Sequence, residues 1–216
     1  TTIYGITGYP LTSTDSPKIH NEGYKKHNMN AVYIPVKAQT IVEALDFAEE
    51  IDMQGLSVTI PHKETVINSL SSYSQKVNII GACNTIVKEK NSWVGYNTDA
   101  DGIIEALQNL LGIKTLARRK VAIIGAGGAA RAVAYAVKQL KGNACIFNRT
   151  VTKAMQLAKE FHFKWASLSY ESTPLLESYS SLIIQTTSKG MGATLPANEE
   201  NDALFFYDFK GTETLY

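Results

Sequence analysis

Two residues in the amino-terminal half have side chains suited to proton chemistry. In "TIPHKE", residues 59–64, Lys63 follows an apolar run; in "NTDADG", residues 97–102, Asp99 stands just ahead of a helical pattern. A lysine positioned by a carboxylate can serve as a general acid in one direction and a general base in the other. Taken alone, Lys63 is also an ordinary solvated residue at the start of a helix, and Asp99 an ordinary N-cap for a helix expected near Gly102.

A second constellation lies further along. "VAIIGAGGAARAVAYAV" runs from an apolar strand through Gly125, Gly127 and Gly128 into a helix expected near Ala129. Glycines let the backbone approach a pyrophosphate, and the unpaired N–H groups and dipole of the helix start attract its charge. Ala130 replaces the last glycine of the usual spacing and is small enough for close helix–strand packing. The following strand ends in "CIFNRT". About 20 residues after the turn, NAD-binding domains carry an acid for the ribose 2′-hydroxyl. Here Arg149 offers a planar cationic fork, Thr150 a hydroxyl, and Lys153 a further charge one helical turn on. These residues favour NADP, whose 2′-phosphate an acid would repel.

Elements of the right kind surround both constellations. "IYGIT" (3–7), "AVYIPV" (31–36) and "LSVTI" (56–60) read as strands. In "TIVEALDFAEEI" (40–51), Ile41, Ala44, Leu45, Ala48 and Ile51 form one apolar helical face. This alternation predicts an α/β fold with a mostly parallel sheet. Four polar clusters, at 8–21, 57–64, 81–86 and 95–102, follow strands and converge on one sheet edge, where open α/β folds bind ligands. The expected division is a first domain at 1–101, a connecting helix and linker at 102–119, and a second domain at 120–216, beginning with the strand at Lys120.

The composition admits this plan. Of 216 residues, 44% are hydrophobic and 19% charged, enough apolar material for two small cores. A net charge of +1 leaves no basic field for nucleic acid or an anionic membrane. Cys83 and Cys145 fit no metal-ligand spacing, so no metal is expected. No apolar run approaches the roughly 20 residues of a membrane span, and the expected location is cytoplasmic. The chain opens on Thr1 rather than methionine, which leaves room for a segment upstream. His20, His27, His62 and His162 are given no role, Trp93 and Trp165 are read as packing, and Cys83 as a small buried filler.

Taken together, "GYPLTSTDSP", "TIPHKE", "GACNTI", "NTDADG", "GAGGAAR" and "NRT" resemble the shikimate dehydrogenase family, from Ile3 to about Asp208. The resemblance implies an amino-terminal substrate domain and a Rossmann-type NADP-binding domain, with the active site in the cleft between them. It also implies reversible NADPH-dependent reduction of 3-dehydroshikimate to shikimate, in aromatic amino-acid biosynthesis. Position by position, Thr14 and Ser16 match the hydroxyls that hold the substrate carboxylate, and Thr59, Asn84 and Asp99 the groups that hold the ring oxygens. Lys63 matches the catalytic lysine, with Asp99 holding it. Gly125, Gly127, Gly128 and Ala129 match the pyrophosphate turn, and Asn148, Arg149, Thr150 and Lys153 the NADP signature. In "QTTSKGMG", Thr187 and Met191 match positions close to the nicotinamide.

Three departures accompany the resemblance. Thr14 replaces the usual serine, Ser13 the histidine commonly found before it, and "YDFKGTETLY" stands where a further strand and a substrate-binding glutamine are usual. The last implies a carboxyl end that is incomplete. The family also includes members fused to a dehydratase domain, an arrangement the absent methionine permits. Two alternatives stay open: a quinate/shikimate dehydrogenase, and a non-catalytic metabolite sensor on the same fold.

Overall fold

The computed structural model describes residues 1–11, 14–190, 196, 198 and 200–216. The chain divides into two compact units, Thr1–Thr98 and Asp99–Tyr216. The helix expected to connect two domains, Asp99–Leu111, falls within the second unit.

In the first unit, strands β1 (Thr2–Gly8), β2 (Ala31–Lys37) and β3 (Met53–Val58) pair in parallel, with β1 between the other two. β5 (Thr85–Glu89) and β6 (Ser92–Tyr96) then add an antiparallel hairpin, and the short β4 (Ser72–Tyr73) closes the order β2-β1-β3-β5-β6-β4. The sheet is therefore mixed, parallel at three of its five pairings and antiparallel at the β5–β6 hairpin and its junction with β3. The hairpin turns at Lys90 and Asn91, both at positive φ (49° and 63°), as two-residue hairpin loops require.

Helix α2 (Ile41–Glu50) buries Ile41, Ala44, Leu45 and Ala48 against Met53, Leu56, Ile86 and Trp93, and the Thr40 side chain caps its start through the Glu43 N–H. α1 (Ser16–Lys26) buries no residue fully. Its Asn21 side chain grips the main chain of Tyr33 on β2, donating to the carbonyl at 2.9 Å and accepting from the N–H at 2.9 Å. α3 (Gln75–Ile80) ends on Gly81 in the left-handed conformation.

In the second unit, β7 (Lys120–Ile124), β8 (Asn143–Asn148), β9 (Lys164–Ser167) and β10 (Leu182–Gln185) form a fully parallel sheet in the order β10-β7-β8-β9. Parallel sheets are covered on both faces, so their strands read as unbroken apolar runs. In β7, Val121 and Ile123 pack against α4 (Asp99–Leu111), α5 (Gly128–Gln139) and α6 (Val151–Phe161), while Ala122 and Ile124 pack against Leu176 and Tyr179 of α7 (Thr173–Tyr179), and against Leu204 and Tyr207. Thr214–Tyr216 runs alongside β10: Ile183 donates to the Thr214 carbonyl at 2.8 Å, Tyr216 to Ile183 at 2.9 Å, and Gln185 to Tyr216 at 2.9 Å.

Cys83 and Cys145 are both free and buried, and burial pushes the Cys145 thiol up to about 12. Trp93 is buried as expected, but Trp165, read from the sequence as packing, lies on β9 with 41% of its surface exposed. Among the described residues, no helix is long and apolar enough to cross a membrane, and no group of histidine, cysteine and carboxylate side chains could hold a metal ion.

Candidate active site

β1 lies between β2 and β3, so connections leaving its carboxyl end and that of β3 diverge, and open α/β sheets bind ligands at such a switch point. The ladder between β1 and β3 continues past the strands: Thr59 donates to Thr7 at 2.9 Å and Tyr9 to Ile60 at 2.9 Å. This approach needs Gly8, because a Cβ there would stand 2.5 Å from the Thr59 side chain and 2.8 Å from the Ile60 carbonyl. β3 itself ends at Val58, two residues earlier than "LSVTI" suggested. Thr59 and Ile60 thus belong to the connection rather than the sheet.

The antiparallel β5 begins where β3 ends, and β6 ends beside the start of β5, which brings Asn84 and Thr98 to the same edge. The Asn84 side chain is tied to Thr98: its amide donates to the Thr98 hydroxyl at 2.9 Å and its carbonyl accepts the Thr98 N–H at 2.9 Å. The buried Asn97 donates to the Ala82 carbonyl at 2.9 Å, locking the two connections together. Neither Thr98 nor Asn97 was singled out from the sequence, for their role exists only once β5 and β6 pair.

Lys63 lies on this edge too. Its carbonyl accepts from Cys83 N–H at 2.7 Å, and the preceding His62 is buried with its ring Nε2 3.0 Å from the Ala38 carbonyl. That histidine is a structural anchor, consistent with its exclusion from the chemistry. Thr14 and Ser16 share the start of α1, where the Thr14 hydroxyl donates to Ser16 Oγ at 3.2 Å and accepts the Ser16 N–H at 3.3 Å. Asp99 is the first residue of α4, not the cap of a helix starting near Gly102.

The second unit holds a pocket of about 560 Å³ at the carboxyl ends of its strands. Gly127, Asn148, Arg149, Thr150, Lys153 and Thr187, all singled out from the sequence, line it together. Of the remaining residues assigned to the turn, Gly125, Gly128 and Ala129 do not line it. Gly125 has φ 114°, and a Cβ there would stand 2.4 Å from the Thr186 hydroxyl, so the turn packs tightly against the end of β10. Gly127 faces the other way: an added Cβ would meet nothing within 4 Å, leaving its main chain open to a ligand.

Beyond Thr150 rise the first N–H groups of α6, which no Thr150 side-chain bond occupies. Asn148 braces the bend by donating to the Thr150 carbonyl at 3.0 Å. Arg149 and Lys153 are exposed and form no ion pair with a described carboxylate. Two exposed cations, a helix start and a bare glycine on one cavity make an anion site.

Sequence reasoning gave no role to Leu168, Tyr170, Lys189, Asp202, Phe205 and Phe206, which also line the pocket. Leu168 is brought in by its N–H bond to the Asn148 carbonyl at 3.2 Å, and Asp202 caps the turn at Leu204 at 2.8 Å. Apart from Lys189, which lies within "QTTSKGMG", no local motif marks them. Met191 and Ser13 lie outside the described residues.

Comparison with known proteins follows the same division. Residues 6–86 match the family model of the shikimate dehydrogenase substrate binding domain, and residues 106–200 match that of shikimate/quinate 5-dehydrogenase. The shikimate dehydrogenase (NADP(+)) of Shouchella clausii is 38% identical over 195 residues, covering 87% of this chain and 70% of that protein. Among solved structures, shikimate dehydrogenase from Aquifex aeolicus is similar with a TM-score of 0.85 at 28% identity, over 100% of this chain and 77% of the other. The enzyme of Thermus thermophilus, solved in complex with NADP(H) and shikimate, gives 0.75 at 26% identity, over 91% and 74%.

Proposed function

The chain belongs to the shikimate dehydrogenase family, and on that premise we propose that it catalyses the reversible NADPH-dependent reduction of 3-dehydroshikimate to shikimate. The observation that carries this reading is the gathering of Gly127, Arg149, Thr150 and Lys153 on one pocket of the second unit. The residues present fit the cofactor: the open glycine suits a pyrophosphate, and the two exposed cations suit a 2′-phosphate. Thr187, and Met191 with it, would serve the nicotinamide end.

When bound, NADPH supplies the hydride that reduces the substrate's ketone. The rest falls to the first unit and to Asp99, the first residue of the second. Thr14 and Ser16 take the substrate carboxylate with hydroxyl donors at the positive end of α1, and Thr59 and Asn84 take ring hydroxyls. Lys63 delivers a proton to the developing alkoxide and stabilises its charge, while Asp99 keeps that ammonium protonated and oriented. In the oxidative direction Lys63 accepts the proton instead.

The test is consumption of NADPH, followed by its absorbance, when 3-dehydroshikimate is added to the purified chain. Turnover with NADPH well above that with NADH is expected. A preparation that binds both ligands without consuming NADPH would be a metabolite-binding relative rather than an enzyme. Equal rates on quinate and shikimate in the oxidative direction would broaden the substrate assignment.

A further inference from the structure

The turn that carries Thr187 is shaped by a side chain that strand pairing does not require. β10 ends at Gln185, whose backbone is paired with Ile124, the residue before the glycine turn, and bonded on its other side to Tyr216. Thr186 then folds back, its N–H and hydroxyl both donating to the Ile124 carbonyl at 2.9 and 2.7 Å. The next N–H, that of Thr187, is received by the side-chain carbonyl of Gln185 at 3.0 Å, and the Thr187 hydroxyl in turn accepts the Lys189 N–H at 3.3 Å. A side-chain oxygen accepting the N–H two residues on is the bond by which asparagine and aspartate build a turn; here glutamine makes it with one methylene more.

We propose that Gln185 is a positioning residue for the cofactor, acting through Thr187. Its amide oxygen holds the Thr187 N–H, and the Thr187 hydroxyl holds that of Lys189, so this bond shapes the turn that presents Thr187 and Lys189, both of which line the pocket. The inference rests on the reading that this pocket takes NADPH with its nicotinamide end towards Thr187. The opposite end, at Arg149 and Lys153, is reached without the Gln185 turn.

That difference supplies the test. Two ligands are titrated into the wild-type chain and into Gln185→Met and Gln185→Asn: NADPH, and adenosine 2′,5′-bisphosphate, which carries the phosphates but no nicotinamide. Methionine keeps the length and removes the acceptor, and asparagine restores the acceptor on a shorter arm. In Gln185→Met the affinity for NADPH should fall about three- to tenfold, the scale of one neutral hydrogen bond. Affinity for the bisphosphate should stay within about twofold, and Gln185→Asn should recover most of the loss. Unchanged NADPH affinity in Gln185→Met, or equal losses for both ligands with a lowered melting temperature, would overturn the proposal while leaving the pocket assignment intact. Failure of the wild-type chain to bind either ligand would overturn both.

Discussion

The two units place their candidate residues by the same rule, at the carboxyl ends of strands beside a switch in strand order, but they build their sites from different material. In the second unit the binding groups are the main chain at Gly127, the start of α6 and two long cations. In the first they are side chains held by neighbouring groups: Asn84 by Thr98, Thr14 and Ser16 by each other, and the Lys63 segment by Cys83 and Ala38. The materials suit the ligands. A phosphate is a diffuse charge that several donors can share, so the loss of one is partly covered by the rest. A hydroxylated ring with one reacting carbon needs one group for each oxygen and one for the proton, and no neighbour replaces a missing member.

The comparison therefore predicts steep losses in the first unit and graded ones in the second. Lys63→Ala should show the largest effect, lowering the turnover number by about 10²–10⁴ while shikimate binding changes much less. If Asp99 works through Lys63, Lys63→Ala/Asp99→Asn should lose far less than the product of the single losses. Steady-state kinetics decides both, and near-normal turnover in Lys63→Ala would break the contrast at its strongest point.

Gly125→Ala should come next. It places a side chain at φ 114° and drives a methyl into the Thr186 hydroxyl, which breaks the bond to Ile124. Together these should cost roughly 2–4 kcal/mol of folding stability in the second unit. Denaturant titration would detect this, and an unchanged midpoint would show that the turn is not held against β10.

Arg149→Ala should be milder, raising the Michaelis constant for NADP about ten- to a hundredfold and leaving NAD nearly unaffected. Lys153 and the start of α6 would still meet the phosphate. Equal losses for the two cofactors would remove the 2′-phosphate from the account of this pocket.

How far the molecule could be read beforehand follows the same line between local and distant causes. The glycine turn, the "NRT" sequence and the apolar face of α2 are each settled within one short stretch, and each was legible. The end of β3 was misplaced because strand length depends on a partner: its ladder to β5 stops at the Ser57–Thr85 pair, and nothing in "LSVTI" announces that. The β5–β6 hairpin escaped notice because its turn is Lys90–Asn91 rather than a glycine-containing pair. The wall at 202–206 lies some fifty residues from Arg149 in sequence, and only the folded sheet joins them. For the first unit's site, single polar residues in connections said little one by one, and the resemblance to a family supplied the roles that spacing could not.

The segment Thr214–Tyr216 has a consequence for the chain's behaviour towards its own copies. At the other border of the sheet, β9 offers Lys164 to the solvent, a charge that discourages intermolecular strand pairing. β10 has no such guard. It reads Leu-Ile-Ile-Gln, and the main-chain donors of Ile183 and Gln185 are occupied only because Thr214 and Tyr216 accept from them. Glu213 holds that arrangement in place, since its carboxylate accepts from the Lys210 N–H, the Tyr207 hydroxyl and the Thr212 N–H at 3.0 Å each, and the Lys210 bond above all keeps it below the usual carboxylate range. Were these three residues peeled away, they would bare an apolar strand edge of the kind that a neighbouring molecule can template upon.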